Sequence, residues 1–290
     1  MPGLEPKLRR IAIAAHPQIP EAIGEAARIA DFISQYVSHV SYGSISDETL
    51  RQQVKDGEFD ALIALGGDGT MLRAGHLCGP SNVPILGINL GRFGFLIEIQ
   101  QNQWQQILPR ILDGDYWIER RMMLSTAQYR DGQILGQWDV VNEAVVSRGN
   151  IVRPVHLVAS VDGRLLTTYV ADGLIASTPT GSTAYALAVG GPILPPELRT
   201  ILLVPIAPHL SIDRAILLAE GATVSIVVHT THQAVLSIDG QSPIELADGD
   251  NIQVNASQYT LSFIRYQDPG YFYRNLTPHM NQNPSTGNSR

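Results

Sequence analysis

The sequence predicts two domains, an N-terminal α/β domain built on a parallel sheet and an antiparallel, β-sandwich-like domain after it. The chain has 290 residues, and globular domains usually contain about 150. Up to about residue 100, apolar strand patterns alternate with helical patterns, which is typical of a parallel sheet with helices on both faces. After residue 113 the dipeptide Asp-Gly recurs between strand-like stretches, and it is a strong signal for hairpin turns.

The elements of the first domain follow from the spacing of apolar residues. Short apolar runs predict strands buried in a sheet, and apolar residues at helical spacing predict a helix that packs on it. The predicted elements are a strand at 11–15, a helix at 21–37, a strand at 60–65, a helix at 70–78 and a strand at 83–89. We place this domain at residues 1–100 and expect the segment at about residues 262–280 to pack back on it.

The second domain, placed at residues 101–261, is predicted from its turns, because Asp-Gly favours the positive φ angles of a tight turn. The pairs occur at 113–114, 131–132, 162–163, 172–173, 239–240 and 248–249, and strand-like stretches cover 137–147, 155–161, 223–229 and 234–238. The pair at 172–173 differs from the others because the stretch after it carries a motif of its own. The polar residues 281–290 predict a disordered tail.

Composition argues against several classes of function. The net charge of −7 disfavours nucleic acid and anionic membranes as partners, and no apolar run reaches the roughly 18 residues of a membrane span. Cys78 is the only cysteine, which excludes an intramolecular disulfide and a cysteine-rich zinc site, and we expect a cytoplasmic protein. The 8 histidines form no metal-binding motif, so no residue is assigned as a metal ligand. The Gly-Lys pair of a Walker A loop is also absent.

The first candidate site is a glycine-rich run between a buried strand and a helix, Gly66-Gly67-Asp68-Gly69-Thr70. Glycines let a ligand approach the backbone closely, and the start of a helix attracts phosphate. Thr70 is the expected N-cap of the helix. Asp68 would repel a phosphate, so it either binds a metal that the phosphate carries or takes a proton from an attacking hydroxyl. A structural turn with a capping Asp68 is an equally good interpretation of the run alone.

The pair Asn142-Glu143 interrupts an apolar stretch that is predicted to be a strand. Buried polar groups need partners, and a ligand is one kind of partner. Structural hydrogen bonds at a strand edge are another, and for this pair taken alone we prefer that interpretation. The turn at 236–241 likewise needs no function to explain it.

A third candidate is the hydroxyl-rich loop at 177–183, which contains Pro179 and Gly181. It offers many hydrogen-bond donors and opens a predicted helix of small residues at 183–189, a candidate site for an anion or a ribose. Tyr185 provides a ring that can stack on a base. An irregular turn with ordinary capping is the alternative, but the density of hydroxyls favours a binding function.

Seven runs follow one another along the chain, and together they carry a family resemblance. They are GGDGT at 66–70, GINLGRFGFL at 87–96, RMML at 121–124, NE at 142–143, DGLIASTPTGSTAY at 172–185, PIAPH at 205–209 and SIDGQ at 237–241. In order and approximate spacing this set resembles the NAD kinase family over about residues 11–265. GGDGT alone is shared with lipid kinases, whereas the Asn-Glu pair and the TPTGSTAY run together are much more specific.

The resemblance implies transfer of a phosphoryl group from ATP, or from another donor, to the 2′-hydroxyl of the adenosine ribose of NAD, which gives NADP. It implies that Asp68 is the base toward that hydroxyl, with Gly69 beside it. The phosphate loop is assigned to Gly66, Gly67, Gly69 and Thr70. Further NAD contacts are assigned to Arg73, Asn142, Glu143, Arg153, Asp172, Thr183, Ala184, Tyr185, Ala186, Leu187, Ala188 and Gln241.

Within that set, the resemblance places Asn142 and Glu143 on the ribose and the dinucleotide, Asp172 on the nicotinamide half and residues 183–188 on the adenosine. It also implies Mg²⁺ or another divalent cation together with the ATP. The family tends toward dimers and tetramers, so a homo-oligomer is expected.

Two other functions remain open on the sequence alone. A lipid kinase would share the GGDGT loop, but it needs an apolar acceptor pocket and membrane contact, which the negative charge disfavours. A non-catalytic dinucleotide sensor would use the same scaffold, although Asp68, the residue whose loss would mark a sensor, is present.

Overall fold

A computed structural model describes residues 5–91, 94–209 and 212–281 of the chain. Of the predicted disordered tail at 281–290, only Asn281 falls within these ranges, and it is the last residue of a helix. The rest of that prediction lies outside the described residues. No helix within the three ranges is long and apolar enough to cross a membrane.

The described residues form two compact units. The first contains those of Met1–Arg120 and Leu261–Arg290, and the second contains those of Arg121–Thr260. The first part of the chain forms β1 (Arg10–Ala15), α1 (Ala22–Ile33), β2 (His39–Ser44), α2 (Glu48–Lys55), β3 (Ala61–Gly66), α3 (Asp68–Cys78), β4 (Ile85–Asn89), β5 (Ile99–Gln100) and α4 (Trp104–Leu112). The remainder forms β6 (Trp117–Arg130), β7 (Gln133–Val140), β8 (Glu143–Arg148), β9 (Val155–Val161), β10 (Arg164–Ala171), β11 (Gly173–Ser177), α5 (Tyr185–Ala188), β12 (Thr200–Ile206), β13 (Ile216–Ala219), β14 (Val224–His229), β15 (Ala234–Ile238), β16 (Ile244–Leu246), β17 (Asn251–Arg265) and α6 (Tyr271–Asn281).

The first unit is built on a parallel sheet with the strand order β2-β1-β3-β4. On the other side of β4, the short strand β5 pairs with its end, and Phe263 of β17 pairs with Ile85. The strands β1, β3 and β4 are buried along almost their whole length, as expected for a parallel sheet covered on both faces. Ile11, Ile63 and Ile88 pack with α1 and α4 in one apolar cluster. The parallel α/β domain predicted from the sequence is confirmed.

The first unit extends beyond residue 100, where the sequence placed the domain boundary. Helix α4 belongs to this unit because its Trp104 and Leu108 pack in the same apolar cluster as β1 and α1. The chain leaves the unit within β6 and returns to it within β17. Helix α6 follows in the same unit, with Tyr271 buried at its start.

The second unit consists of two antiparallel sheets. One has the strand order β10-β9-β14-β17, and the other has the order β13-β12-β11-β8-β15-β16. Leu157, Tyr169 and Ile226 of the first sheet share an apolar cluster with Leu174 and Leu236 of the second. Side chains from both sheets therefore fill one core, which is the arrangement of a β-sandwich. The predicted antiparallel domain is confirmed.

The Asp-Gly pairs do not all form the hairpins that the sequence predicts. Asp131-Gly132 joins β6 to β7 and Asp162-Gly163 joins β9 to β10, each with a positive φ at both residues. Asp113-Gly114 instead ends α4, where Gly114 has a φ of 97° that stops the helix. Asp172-Gly173 leads directly into β11, in line with its different sequence context.

Candidate active site

The glycine-rich run connects β3 to α3 in a tight turn. Gly67 is the N-cap of α3, because its carbonyl accepts the backbone N–H groups of Thr70 and Met71 at 2.9 and 3.2 Å. The helix therefore begins at Asp68, and the prediction that Thr70 is the N-cap is wrong. Thr70 is buried, and its Oγ1 has no hydrogen-bond partner among the described residues. The Thr70 side chain also explains why residue 66 is a glycine, since a Cβ at that position would lie 2.8 Å from the Cβ of Thr70.

The Asp68 carboxylate is held by the backbone of a neighbouring segment. Its Oδ2 accepts the N–H of Phe95 at 2.8 Å, and its Oδ1 accepts the N–H of Leu96 at 3.1 Å. A Cβ at Gly94 would overlap all three atoms of the carboxyl group, so only glycine allows this approach. Each oxygen keeps a second acceptor position, because a carboxylate oxygen carries two lone pairs. Asp68 is thus a half-buried carboxylate in one fixed orientation at the start of a helix.

Two basic side chains lie near the carboxyl ends of β1 and β3. His16 follows β1, and its backbone N–H donates to the carbonyl of Leu65 at 3.0 Å. Arg73 is exposed on α3, about one helical turn beyond the glycine run. Burial and the nearby Arg73 guanidinium lower the pKa of His16 below its usual value, so the imidazole is neutral at neutral pH. Among the described residues, Arg73 is therefore a charged group that this edge of the first unit can offer to a phosphate.

In the second unit, the Asn142-Glu143 pair is positioned by a carboxylate from a distant turn. Asp239 follows β15 and accepts the backbone N–H groups of Val141, Asn142 and Glu143 at 2.8, 2.7 and 2.9 Å. These bonds bend the chain between β7 and β8, so the continuous strand predicted at 137–147 is wrong. From the sequence alone the Asp239 turn is explained as a simple hairpin, because no local pattern indicates its contact with the Asn142-Glu143 pair.

The Glu143 carboxyl group is buried and incompletely paired. It accepts the backbone N–H of Tyr185, while its Oε2 has no hydrogen-bond partner in the described part of the chain. Burial, and next the negative charge of Asp239, raise the pKa of Glu143 to about 8. A carboxyl group with a pKa in this range exchanges its proton readily near neutral pH. It is suited to hydrogen bonding with the hydroxyl groups of a sugar.

Replacing Glu143 by glutamine should change how stability depends on pH. The pKa of Glu143 is about 8 in the folded chain against an ordinary 4.5, so between these values the folded state holds a proton that the unfolded state has lost. Wild-type stability should therefore fall as pH rises from 4.5 to 8 and stop falling above 8. Glu143→Gln should lack this contribution, so that the variant gains stability relative to the wild type between pH 6 and pH 9 in urea unfolding.

Glu58→Gln is the matched control for that experiment, because Glu58 is an exposed glutamate of the first unit, just after α2, and lies far in sequence from Asn142, Glu143 and Tyr185. It should leave the pH dependence of unfolding unchanged. If the free energy of unfolding changed with pH in the same way for the wild type and Glu143→Gln, the raised pKa of Glu143 would be contradicted.

The hydroxyl-rich loop is closed by its own side chains. Ser177 Oγ and Thr178 Oγ1 donate to the carbonyls of Asn142 and Val141 at 3.1 and 2.7 Å, and Ser182 Oγ donates to the carbonyl of Pro179 at 2.6 Å. Ser177, Thr178 and Ser182 are also fully buried. The hydroxyls that suggested a set of donors for a ligand therefore mainly hold the loop against the Asn142 segment.

The end of this loop and the residues that follow it form two short helical turns. A 3₁₀ turn spans Gly181–Thr183 and α5 spans Tyr185–Ala188, so the single helix predicted at 183–189 is wrong. Ala184 interrupts it with φ −101° and ψ −124°. Ala186 is buried in an apolar cluster, whereas the Tyr185 ring is 43% exposed. Of the predicted adenosine contacts at 183–188, Tyr185 is the one that presents a large surface.

The other predicted contacts lie on neighbouring segments of the second unit. Asp172 forms an ion pair with Arg148, with 2.8 Å between Oδ1 and Nε. Arg153 is exposed in the connection before β9, and Gln241 is exposed after the Asp239 turn. The structure thus joins Glu143 to Tyr185 by a hydrogen bond and fixes Asn142 and Glu143 through Asp239, and we call Asn142, Glu143 and Tyr185 the cluster. Asp172, Arg153 and Gln241 lie on other segments and are not part of it.

Comparison with known proteins identifies the family. The model of the ATP-NAD kinase N-terminal domain matches residues 49–116, and that of the ATP-NAD kinase C-terminal domain matches residues 141–266. The chain is 38% identical over 269 residues to an NAD kinase of Chloroflexus aggregans, a match that covers 93% of this chain and 97% of that protein. The chain belongs to the NAD kinase family.

Further members of the NAD kinase family show a similar match. The NAD kinase of Heliobacterium modesticaldum is 37% identical over 274 residues, which covers 90% of this chain and 95% of that protein. An NAD kinase from Archaeoglobus fulgidus, solved in complex with ATP, has a TM-score of 0.74 at 25% identity and covers 93% of this chain and 97% of its own. Yeast NADH kinase complexed with NADH has a TM-score of 0.80 at 24% identity and shows the same fold. The match covers 96% of this chain and 89% of the yeast chain.

Membership of the NAD kinase family confirms the resemblance drawn from the seven sequence runs. It makes the chain a kinase and therefore an enzyme. Neither the lipid kinase nor the non-catalytic sensor is favoured by these matches.

Proposed function

We propose that this chain transfers the terminal phosphoryl group of ATP to the 2′-hydroxyl of the adenosine ribose of NAD. In this reaction the ribose oxygen bonds to the phosphorus, the bond from that phosphorus to the bridging oxygen of ADP breaks, and ADP leaves. The hydroxyl proton goes to a base. The observation that carries the proposal is the fixed carboxylate of Asp68 at the start of α3, with an acceptor position open on each oxygen.

Asp68 is proposed as that base. Phosphoryl transfer depends mainly on positioning and charge stabilisation, so the base needs a fixed orientation more than a high basicity. The two N–H groups from Phe95 and Leu96 provide the orientation. Gly66, Gly67, Gly69 and Thr70 are proposed to form the phosphate loop, where the free N–H groups at the start of α3 attract the phosphates.

A divalent cation is proposed to arrive with the nucleotide. Among the described residues, no group of three or more His, Cys, Asp or Glu side chains is arranged to hold a metal. Magnesium keeps several waters and binds largely through substrate phosphates, so it needs no dedicated set of protein ligands. When bound, Mg²⁺ would neutralise phosphate charge that otherwise repels Asp68.

NAD is proposed to bind through the cluster of Asn142, Glu143 and Tyr185. The buried Glu143 Oε2 without a partner supports a role toward ribose hydroxyls, and the exposed Tyr185 ring supports stacking on adenine. Asp172 is proposed for the nicotinamide half. The remaining proposed contacts are Arg73, Arg153, Thr183, Ala184, Ala186, Leu187, Ala188 and Gln241.

Oligomeric state and location complete the proposal. A homo-oligomer, a dimer or a tetramer, is proposed from the family, and sedimentation of the full chain tests it. The single cysteine Cys78 is buried and free, which supports a reducing compartment such as the cytoplasm.

The test of this function is an assay of the full chain with NAD, ATP and Mg²⁺, in which an NADP-specific dehydrogenase reports the product. NADP should accumulate only when all three are present. Parallel reactions with polyphosphate in place of ATP, and with NADH in place of NAD, define the donor and the acceptor. Absence of product from folded protein in every combination would overturn the proposal.

A further inference from the structure

A fully buried arginine lies behind the segment that holds Asp68. Arg265, at the end of β17, is 1% exposed. It forms an ion pair with Glu119, in which Nε and Nη2 lie 2.8 and 2.7 Å from Oε2. The guanidinium carbon lies 4.9 Å from the centre of the Phe263 ring and 4.8 Å from that of the Tyr271 ring. Burying a charged group is costly unless it is paired, and the Glu119 carboxylate supplies that pairing for Arg265.

One nitrogen of this guanidinium is left for another partner. Arg265 Nη1 donates to the carbonyl of Leu96 at 2.8 Å. The N–H of the same residue, Leu96, donates to Asp68 Oδ1 at 3.1 Å. Leu96 is therefore held on both sides, by the buried guanidinium at its carbonyl and by the Asp68 carboxylate at its N–H.

We propose that Arg265 is a positioning residue for phosphoryl transfer, which holds the backbone at Leu96 and through it the orientation of the Asp68 carboxylate. This inference rests on the proposed function, because it matters for turnover only if Asp68 accepts the proton. Arg265 itself does not touch the reacting atoms. Its effect reaches them through the backbone of Leu96 and then through one hydrogen bond.

The planar shape of the Arg265 side chain makes its positioning role testable. The planar guanidinium serves Glu119 with one edge and the Leu96 carbonyl with another nitrogen. A lysine ammonium is a compact charge that keeps an ion pair with Glu119 but does not reach both partners. Arg265→Lys should therefore keep the charge balance of the site and release the Leu96 carbonyl. A double variant, Arg265→Met with Glu119→Gln, removes both charges together.

Steady-state kinetics should separate positioning from folding. We expect both Arg265 variants to lower kcat by about 10- to 100-fold, because a shift of about 1 Å in a reacting group lowers rates by about 10²-fold. KM for NAD and for ATP should stay within about twofold, since no substrate contact is removed. Amide exchange at Phe95 and Leu96 should become faster in the free protein, which requires no activity to observe.

Glu25→Gln is the matched control. Glu25 is another buried carboxylate of the first unit, and it accepts the indole N–H of Trp104 at 2.6 Å and the amide of Gln101 at 3.2 Å. Loss of the Glu25 negative charge should lower the unfolding temperature without changing kcat or the exchange of the Phe95 and Leu96 amides.

The outcomes distinguish this inference from the proposed function. If Asp68→Asn loses turnover while folded Arg265→Lys keeps its kcat and its slow amide exchange at Leu96, the positioning role is overturned and the proposed function stands. If Asp68→Asn keeps full turnover, the role of Asp68 fails and this inference fails with it. Loss of stability in the Arg265 variants with kcat unchanged would assign Arg265 to folding alone.

Discussion

Asp68→Asn is expected to lower kcat for NADP formation by about 10²- to 10⁴-fold, the range that a positioned general base contributes. Asparagine keeps the size and shape of the side chain but has no site that accepts the ribose proton. KM for NAD should change little, because the NAD contacts proposed for the second unit are all retained. The measurement is the initial rate of NADP formation at saturating NAD and ATP, together with the binding of NAD to each protein.

The asparagine amide also changes the fold locally. One of the two N–H groups, of Phe95 or Leu96, would face an NH₂ donor instead of an acceptor, so some stability is lost as well. Asp60→Asn controls for this effect, because Asp60 in the same unit also accepts two backbone N–H groups, those of Arg9 and Arg10, at 2.9 Å each. The control should lose stability and keep its kcat. A folded Asp68→Asn enzyme with more than about a third of the wild-type kcat would exclude general-base catalysis by this residue.

Gly94→Ala should reduce turnover by about 10²-fold, although it replaces no charged or polar residue. A displacement of about 1 Å in a reacting group can lower the rate by that factor. A Cβ at position 94 would overlap the Asp68 carboxyl group, with Oδ2 only 2.6 Å away. Either the carboxylate or the backbone at residues 94–96 must move, and both Asp68 hydrogen bonds are strained by that movement. Initial rates, and the exchange of the Phe95 and Leu96 amides, report the effect on chemistry and on structure.

Gly24→Ala provides the comparison for Gly94→Ala. Gly24 lies in α1, and a Cβ there meets nothing within 4 Å among the described residues. Alanine in a helix is more favourable than glycine, so this variant should keep its rate and be slightly more stable. An active Gly94→Ala enzyme with Asp68 still bonded to both amides would show that the segment tolerates a side chain.

The sequence predicted the parts of the fold whose apolar residues are continuous. Strands β1, β3 and β4 are almost wholly buried, so their composition alone reveals them. Strand β2 and helix α2 were not predicted. Strand β2 lies at the edge of its sheet, is partly exposed and carries few apolar residues. Helix α2 buries only Leu50 and Val54, which is too weak a periodicity to identify a helix.

The site shows the same division between what is local in sequence and what is not. The glycine run and the Asn142-Glu143 pair were found because each is contiguous. The role of Asp239 toward Asn142 joins residues 97 positions apart, and that of Arg265 toward Leu96 joins residues 169 positions apart. A hydrogen bond between such positions leaves no periodic signal in the chain. The wrong N-cap at Thr70 has a different cause, since the helix begins before the residue that looked best suited to cap it.

The internal hydrogen bonds of the loop at 177–183 bear on the thermodynamics of recognition. Its buried hydroxyls already bind the carbonyls of Asn142, Val141 and Pro179, so the loop is shaped when the chain folds. A nucleotide that meets this surface would leave the conformational entropy of the loop nearly unchanged. Calorimetry should then find little unfavourable entropy from loop ordering, and Ser182→Ala should weaken binding through that entropy although Ser182 is too deeply buried to touch a ligand.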